Sequence, residues 1–224
     1  MQRILFLLVM ALCSALCSAL CSPLALAQQS GASDHPRFEW FLGYSALGDA
    51  NEKNGRILTF FGTNTGLETS LTGNLSRHWG IKGDFSAHFG SNRGAAIVGQ
   101  PFVQPPGTTQ NGAFEFEHRH FNFLIGPEFK WRNHTRLTPF AHVLAGAGVS
   151  NGDVRITFPG GSALIKVSDI GVALALGGGF DTRVSKRFGF RASIDYNPAY
   201  AGGTTTDPRG WRDHGRLSVG IVFQ

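Results

Sequence analysis

The sequence predicts an all-β protein, an eight-stranded antiparallel up-and-down transmembrane β-barrel preceded by a cleaved signal peptide. Three observations predict this fold. The chain begins with an apolar leader. The remainder is a series of segments in which apolar and polar residues alternate, joined by alternately long and short connections. No run of 18 apolar residues follows the leader, so no transmembrane helix is expected.

Residues 1–27 are predicted to be a secretory signal peptide. Arg3 precedes an apolar run over residues 4–20, and Ala25-Leu26-Ala27 has the small-x-small pattern of a cleavage site. A membrane anchor is the alternative, but the run is short and a cleavage site follows it. Residues 28–36 are small and polar, which indicates a flexible lead-in. The barrel is expected to occupy residues 37–224.

All three cysteines, Cys13, Cys17 and Cys21, lie in the leader. A leucine precedes each of them, where lipid attachment would need a small residue. The mature chain is therefore expected to contain neither a disulfide framework nor a thiolate metal site. The net charge of +5 is modest and the charges alternate in sign along the chain, so nucleic acid is not an expected partner.

Trp79–Phe89 is the clearest of the predicted strands. Its odd-numbered residues are mainly apolar and its even-numbered residues include Lys82, Asp84 and His88. A segment of about 10 residues is long enough to cross a bilayer when tilted. The same alternation appears in seven other segments: 38–45, 67–75, 114–131, 137–149, 170–180, 188–197 and 216–224.

Four long connections are expected at one end of the barrel and short turns at the other, which is the plan of an outer-membrane barrel. The long connections are Gly48–Gly66, Gly90–Ala113, Asn151–Ser168 and Ala201–Trp211. Asn151–Ser168 could also extend the strands as a hairpin with Pro159–Ser162 at its tip.

The apolar face of the strands is predicted to contact lipid. An eight-stranded barrel has room inside only for ordinary side chains, and the aromatic residues of this face would overfill it. The alternative is a soluble lipocalin-like barrel that buries the same face. The predicted lipid-facing aromatics are Phe38, Trp40, Tyr44, Trp79, Phe85, Phe89, Phe121, Phe123, Phe129, Trp131, Phe180, Phe188, Phe190, Tyr196 and Phe223.

The opposite face carries charges of both signs, and buried charges need partners. We therefore expect a salt-bridge network that plugs the lumen. A narrow pore is the alternative use of these charges. The charged residues predicted toward the periplasmic end are Glu39, Lys82, Asp84, Glu128, Lys130 and Arg191. Those predicted toward the outer end are Glu68, Asp195 and Arg216, together with the histidines His88 and His120.

Four stretches extend the argument from fold to family: FNFLIGPEFK, LTPFAHVLAGAGV, ALALGGGFD and RLSVGIVF. Together with the eight-strand plan, they resemble the outer-membrane β-barrel domain family that includes the barrel of OmpA and OmpX-like proteins. The resemblance implies a monomer in a Gram-negative outer membrane that contacts outer-membrane lipid and is inserted by the barrel assembly machinery. Such barrels commonly end in an aromatic residue, whereas Phe223 is penultimate here and Gln224 is last.

Two histidine-containing patterns resemble catalytic or metal sites. Lipid A deacylases carry a His-x-Ser-Asn run, and the nearest match here is His88-Phe89-Gly90-Ser91-Asn92. Its extra residue puts His88 and Ser91 on opposite faces of a strand, so a hydrogen-bonded pair is not expected. His118 and His120 would share a face, but no third metal ligand follows from the spacing. We therefore expect no enzymatic activity, no cofactor and no metal.

The expected function is structural or surface-interacting, with the long connections as the contact surface for an extracellular partner. Two alternatives stay open at this point. A narrow pore would conduct in discrete steps, and a lipid-modifying enzyme would need His88 or another histidine at the edge of the lumen.

Overall fold

The computed structural model describes residues 35–49, 64–98, 110–133, 135–185, 187–201 and 210–224. The predicted signal peptide lies outside the described residues, as do most of the lead-in and the centres of three predicted long connections. The described chain forms ten strands. Their bounds are β1 Phe38–Asp49, β2 Asn64–Asn74, β3 Trp79–Val98, β4 Gln110–Lys130, β5 Leu137–Phe158, β6 Gly161–Arg183, β7 Phe188–Tyr196, β8 Ala199–Ala201, β9 Gly210–Arg212 and β10 His214–Phe223.

Eight of these strands close into a ring, which confirms the predicted barrel. Each strand from β1 to β6 pairs antiparallel with the next one in the chain. The last strand, β10, pairs with β7 on one side and with β1 on the other. Closure leaves the ring without a free edge, which is the condition for a sheet to cross lipid.

The two shortest strands lie outside the ring and correct the prediction that Ala201–Trp211 is entirely loop. Strand β8 pairs with β9 and also with β6, through Ala199 opposite Ala173 and Tyr200 opposite Val172. The Tyr196 hydroxyl donates a hydrogen bond to the Asp213 carboxylate. This small hairpin is thereby tied to the rim of the barrel.

Strand length divides the ring into two halves. Strands β1, β2, β7 and β10 have 12, 11, 9 and 10 residues, which is what a tilted transmembrane strand needs. Strands β3 to β6 have 20, 21, 22 and 23 residues. They therefore continue well beyond the other half, all at the same end of the barrel.

This excess length corrects two predicted loops. Gly90–Ala113 begins and ends in paired strand, with Val98 opposite Gln110. Asn151–Ser168 is the hairpin extension that was the alternative prediction, because β5 and β6 stay paired up to Phe158 opposite Gly161. We call the projecting parts of β3 to β6 the extension, defined as residues 90–98, 110–119, 150–158 and 161–171.

The interior of the ring is mainly polar and its exterior is apolar, so the alternative of a soluble barrel with an apolar interior is wrong. Along β7, Arg191, Ser193 and Asp195 are buried, whereas Phe190 and Ile194 are exposed. The interior also holds a small apolar cluster comprising Leu124, Leu144, Ala173, Ala175 and Ala199. Among the described residues, no helix has the length and apolar character needed to span a membrane.

The aromatic residues concentrate at two levels of the exterior, as expected at membrane–water interfaces. At the short-turn end, Trp79 packs edge-on against Phe129, with ring centroids 5.1 Å apart. Trp40 packs against Phe223 at the seam between β1 and β10. At the other end, Phe89 and Phe121 are 6.0 Å apart. Because outer-membrane barrels have short turns on the periplasmic side, the extension is extracellular.

The seam requires glycine at Gly220, where β10 approaches β1. A Cβ atom at this position would lie 2.3 Å from the Leu42 carbonyl oxygen and 2.4 Å from the Gly43 Cα. We predict that Gly220→Ala lowers the free energy of unfolding by about 1–3 kcal/mol, as overpacking does elsewhere. Urea titration of the barrel in lipid vesicles measures this change.

The matched control is Gly83→Ala, because a Cβ there would meet only the Leu71 carbonyl oxygen at 4.0 Å. This variant should unfold at the wild-type urea concentration. Equal stability of the two variants would contradict the close approach at the seam.

Candidate functional site

The lumen contains an outer cluster of ion pairs centred on Arg216 of β10. Its guanidinium contacts the Asp84 carboxylate at 2.8 Å and the Asp195 carboxylate at 2.7 Å. The Lys82 ammonium lies 3.4 Å from Asp84 and 3.5 Å from Glu68. All five side chains are buried. Four strands, β2, β3, β7 and β10, thus contribute inward-facing side chains to the cluster around Arg216.

A periplasmic cluster lies toward the short-turn end and is centred on Arg191 of β7. Arg191 binds Asp181 through two hydrogen bonds, of 2.6 and 2.8 Å. The Lys130 ammonium contacts Glu39 and lies 3.2 Å from Glu128. Arg132 also contacts Glu39, at the short-turn side of the cluster.

His142 of β5 joins the two clusters. Its Nε2 lies 3.0 Å from the Asp195 carboxylate in the outer cluster, and its Nδ1 lies 4.0 Å from Glu128 in the periplasmic cluster. The lumen is therefore crossed by one continuous ionic network. Six carboxylates, those of Glu39, Glu68, Asp84, Glu128, Asp181 and Asp195, face five lysine and arginine cations and His142.

Large side chains fill the space beside the ions. The Arg191 guanidinium lies over the Phe140 ring at 4.6 Å and near the Phe41 ring at 5.5 Å. Leu124 and Leu144 are buried on the facing strands. The network and these side chains together occupy the cross-section that an eight-stranded barrel provides.

The structure places all nine of the charged residues predicted for the lumen inside the ring. Lys82 and Asp84 belong with Glu68 and Arg216 in the outer cluster, which corrects their predicted position near the periplasm. The strands are tilted, so residues at equal distances from their turns do not lie at equal depth. The predicted lipid-facing aromatics lie on the outer face, with Trp131 the most exposed at 66%.

Sequence reasoning missed three members of the network, namely Arg132, Asp181 and His142. Asp181 continues the inward phase of Gly177 and Gly179, so extending the alternation by one residue would have found it. Arg132 lies between β4 and β5, outside any segment of alternating residues. His142 lies where the alternation of β5 is weak.

Histidines line the outer end of the lumen. His88 Nε2 is 2.9 Å from the Ser45 hydroxyl. His120 contacts the Ser150 hydroxyl at 2.8 Å and the Asn122 side-chain oxygen at 3.0 Å. His88 thus points into the lumen, while Ser91 is exposed on the outer surface.

The His120 ring lies 6.3 Å from the ring of His118 and 5.6 Å from that of His214. His118 belongs to the extension, where burial and the neighbouring His214 lower its pKa. Within the part of the chain that the structure describes, no group of three or more His, Cys, Asp or Glu side chains is arranged to hold a metal ion.

The extension reverses the polarity of the barrel below it. Its inner face continues the lumen wall but is apolar, with Phe116, Val154 and Ile165 forming one cross-strand row. Phe114 lies over Gly94 and Phe116 over Gly152, on the neighbouring strands. Ile165 and Val167 are 43% and 46% exposed. An apolar surface therefore stands above the charged lumen.

The outer face of the extension is charged, although it continues the lipid-facing surface. Arg93 donates a 2.7 Å hydrogen bond to Glu115, which lies opposite it on β4. Arg119 forms ion pairs with Glu117 at 3.2 Å and with Asp153 at 3.6 Å. Charges are costly on a lipid-facing strand, so this face marks where the membrane ends.

The extension is an open sheet with two edges. Beyond Phe89, strand β3 pairs only with β4 among the described strands. Between Gly161 and Gly171, β6 likewise pairs only with β5 within the described residues. Each edge thus offers backbone groups on one side.

The ring, the apolar exterior and the ion-filled lumen together form the architecture of an outer-membrane β-barrel, and the chain resides in the outer membrane. No protein-family model matches the chain, and neither does any curated protein sequence.

Solved structures similar to the chain are outer-membrane and surface barrels. The attachment invasion locus protein Ail of Yersinia pestis is 15% identical, with a TM-score of 0.45, over 83% of this chain and 95% of Ail. The outer membrane protein OprG of Pseudomonas aeruginosa is 12% identical, with a TM-score of 0.38, over 83% of this chain and 94% of OprG. Neisserial surface protein A is 13% identical, with a TM-score of 0.37 and the same coverage as OprG.

Removing the central cation of the outer cluster tests how much the network stabilises the barrel. Arg216→Met leaves Glu68, Asp84 and Asp195 buried with Lys82 as their main cation. We predict a loss of about 3–5 kcal/mol in the free energy of unfolding, the usual cost of breaking a buried ion pair from one side. Urea titration in lipid vesicles measures it.

Arg93→Met is the matched control, because Arg93 also forms a close ion pair but its side chain is 78% exposed. Arg93→Met should lower the free energy of unfolding by less than about 1 kcal/mol. Similar losses in the two variants would mean that burial does not set the strength of the network.

The filled lumen also predicts how the barrel behaves in a planar bilayer. Wild-type protein should give no discrete conductance steps, because charged side chains and aromatic rings occupy the cross-section of the lumen. The double variant Phe41→Ala, Arg191→Ala removes a ring and the guanidinium beside it, and it should conduct in steps. Steps of equal size from both proteins would contradict a plugged lumen.

Proposed function

We propose that this chain is a surface-interaction protein, in which a closed barrel anchors a rigid extracellular sheet that serves as the contact surface. The observation that carries the proposal is the reversal of polarity between the barrel and the extension. Crossing the membrane requires only the lower half of β3 to β6. The upper half is ordered sheet with its own pattern of apolar and charged faces.

The lumen supports an anchoring role for the barrel. Its buried charges of opposite sign lie close to one another across the ring, and His142 links the two clusters. Apolar side chains fill the space between the ions. The interior therefore serves as the core of the protein, in place of the apolar core of a soluble domain.

The extension supports a contact role. A sheet that is already ordered loses little conformational entropy when a partner binds. Its inner face offers apolar side chains, and its two edges offer backbone groups that no other described strand pairs with. An extended peptide with alternating apolar residues fits both features, because it can add to an edge as a further strand. We therefore propose such a peptide segment of another protein as the partner.

Selection from a random peptide library tests this proposal, with the folded barrel in lipid nanodiscs as the target. We expect enriched peptides with alternating apolar residues. Val154→Lys places a charge on the inner face, opposite Phe116 and Ile165, and should weaken binding of these peptides at least about tenfold.

Thr157→Lys is the matched control, since it adds the same charge to the same strand but on the outer face, opposite Ala113. It should bind the peptides as wild type does. The proposal fails if no peptide is enriched, or if the two lysine variants bind equally.

A further inference from the structure

The short-turn end of the barrel carries a set of exposed arginines that the proposed function does not use. Arg77 lies in the turn between β2 and β3, and Arg136 in the turn between β4 and β5. Arg183 and Arg187 flank the turn between β6 and β7. All four side chains are exposed. We call these four residues the periplasmic rim.

Acidic side chains are missing from the turns that form this rim. The three turn segments read NLSRHW, WRNHTRL and RVSKRF and contain no Asp or Glu. Among the described residues, the acidic side chains nearest to these turns in the chain include Glu39 and Asp181. Both are buried and already paired with Lys130 and Arg191 inside the lumen. Within the described part of the chain, no acidic side chain of the turns therefore balances the positive charge of the rim.

Backbone contacts hold the rim cations in place. Arg77 and Arg132, from neighbouring turns, each donate a side-chain hydrogen bond to the other's backbone carbonyl. The Arg183 backbone N–H donates to the Arg136 carbonyl at 2.9 Å. These hydrogen bonds join the backbones of neighbouring turns, so arginines from separate turns share one end of the barrel. An anion bound among them would reduce the repulsion between their charges.

The rim also lies directly beside the periplasmic ring of aromatic residues. Arg77 is two residues from Trp79, which is 54% exposed, and Arg187 adjoins Phe188, which is 41% exposed. Such aromatic residues mark the depth of the lipid headgroups. The guanidiniums are therefore at the depth of the phosphates.

We propose that the periplasmic rim is a binding site for anionic phospholipid headgroups of the inner leaflet of the outer membrane. Guanidinium groups bind phosphate oxygens through paired hydrogen bonds, and they do so most strongly at the edge of a low-dielectric medium. The position of the rim at headgroup depth favours lipid over a polymer of the cell wall. This inference is independent of the extracellular contact surface.

Quenching of tryptophan fluorescence by brominated lipid tests the proposal. Trp40, Trp79 and Trp131 report on the periplasmic end, and Trp211→Phe removes the reporter at the extracellular end. The protein is reconstituted in phosphatidylcholine vesicles that contain either brominated phosphatidylglycerol or brominated phosphatidylcholine. Both leaflets have the same composition, so the orientation of the barrel does not matter.

We expect brominated phosphatidylglycerol to be enriched around the reporters about fivefold over brominated phosphatidylcholine, the effect of one basic residue fully engaged at an anionic surface. High salt should reduce this enrichment because it screens exposed charges. In the variant Arg77→Gln, Arg136→Gln, Arg183→Gln, Arg187→Gln, the two brominated lipids should quench equally.

The matched control is Arg93→Gln, Arg155→Gln, which removes exposed arginines from the extension and should keep the wild-type preference. Heat-dependent gel mobility confirms that each variant is folded. If the four-site variant does not fold, the pairs Arg77→Gln, Arg136→Gln and Arg183→Gln, Arg187→Gln replace it, and each should lower the preference.

Equal quenching by the two lipids in the wild-type protein would overturn the proposal. Equal quenching together with co-sedimentation of the protein with purified peptidoglycan would overturn it too, and would assign the rim to the cell wall. Failure here leaves the peptide selection on the extension unaffected, so the two proposals are tested separately.

Discussion

The pairing of the first strand with the last is the constraint on which the rest of this structure depends. Lipid offers no hydrogen bonds to a backbone, so an open sheet edge cannot remain inside a membrane. Pairing of β1 with β10 removes the last such edge. It also sets the number of strands at eight, and the strand number limits the width of the lumen. The close approach at Gly220 and the crowded interior are consequences of the same closure.

A closed ring of eight strands leaves room only for side chains in its interior, and in this chain many of those side chains are charged. Paired charges are a weak source of net stability compared with apolar residues of the same volume. They nevertheless specify which positions face inward, because a strand shifted by one residue would place Arg216 or Asp84 in lipid. The lumen network therefore defines register as well as filling space.

Alternation predicted the ring strands and the direction of their faces from sequence, because a strand that separates lipid from a polar lumen must alternate. It gave the nine charged lumen residues for the same reason. It did not give the depth of Lys82 and Asp84, which depends on strand tilt, a property of the closed ring. It also failed to distinguish strand from loop above Phe89, where Ser91 and Arg93 resemble loop residues because their face meets water.

The reversal of polarity between the barrel and the extension could be predicted in part from the sequence. Phe114, Phe116, Val154 and Ile156 alternate with polar residues as strictly as any lipid-facing series. Their phase is that of His120 and Ser150, which line the lumen. Recognising this requires the register between strands, which single-segment patterns do not contain. The basic turns were visible in the sequence, but only the fold brings three separate turns to one rim.

The unequal strand lengths make the molecule directional within the plane of the membrane. Among the described strands of the ring, four neighbouring ones extend beyond the others, so the projecting sheet lies on one side of the barrel axis. A partner in a fixed position meets a different surface as the barrel rotates about the membrane normal. Rotation of the barrel in the bilayer therefore governs how often the apolar inner face of the extension is turned toward a given partner. Neighbouring molecules that restrict this rotation change that frequency.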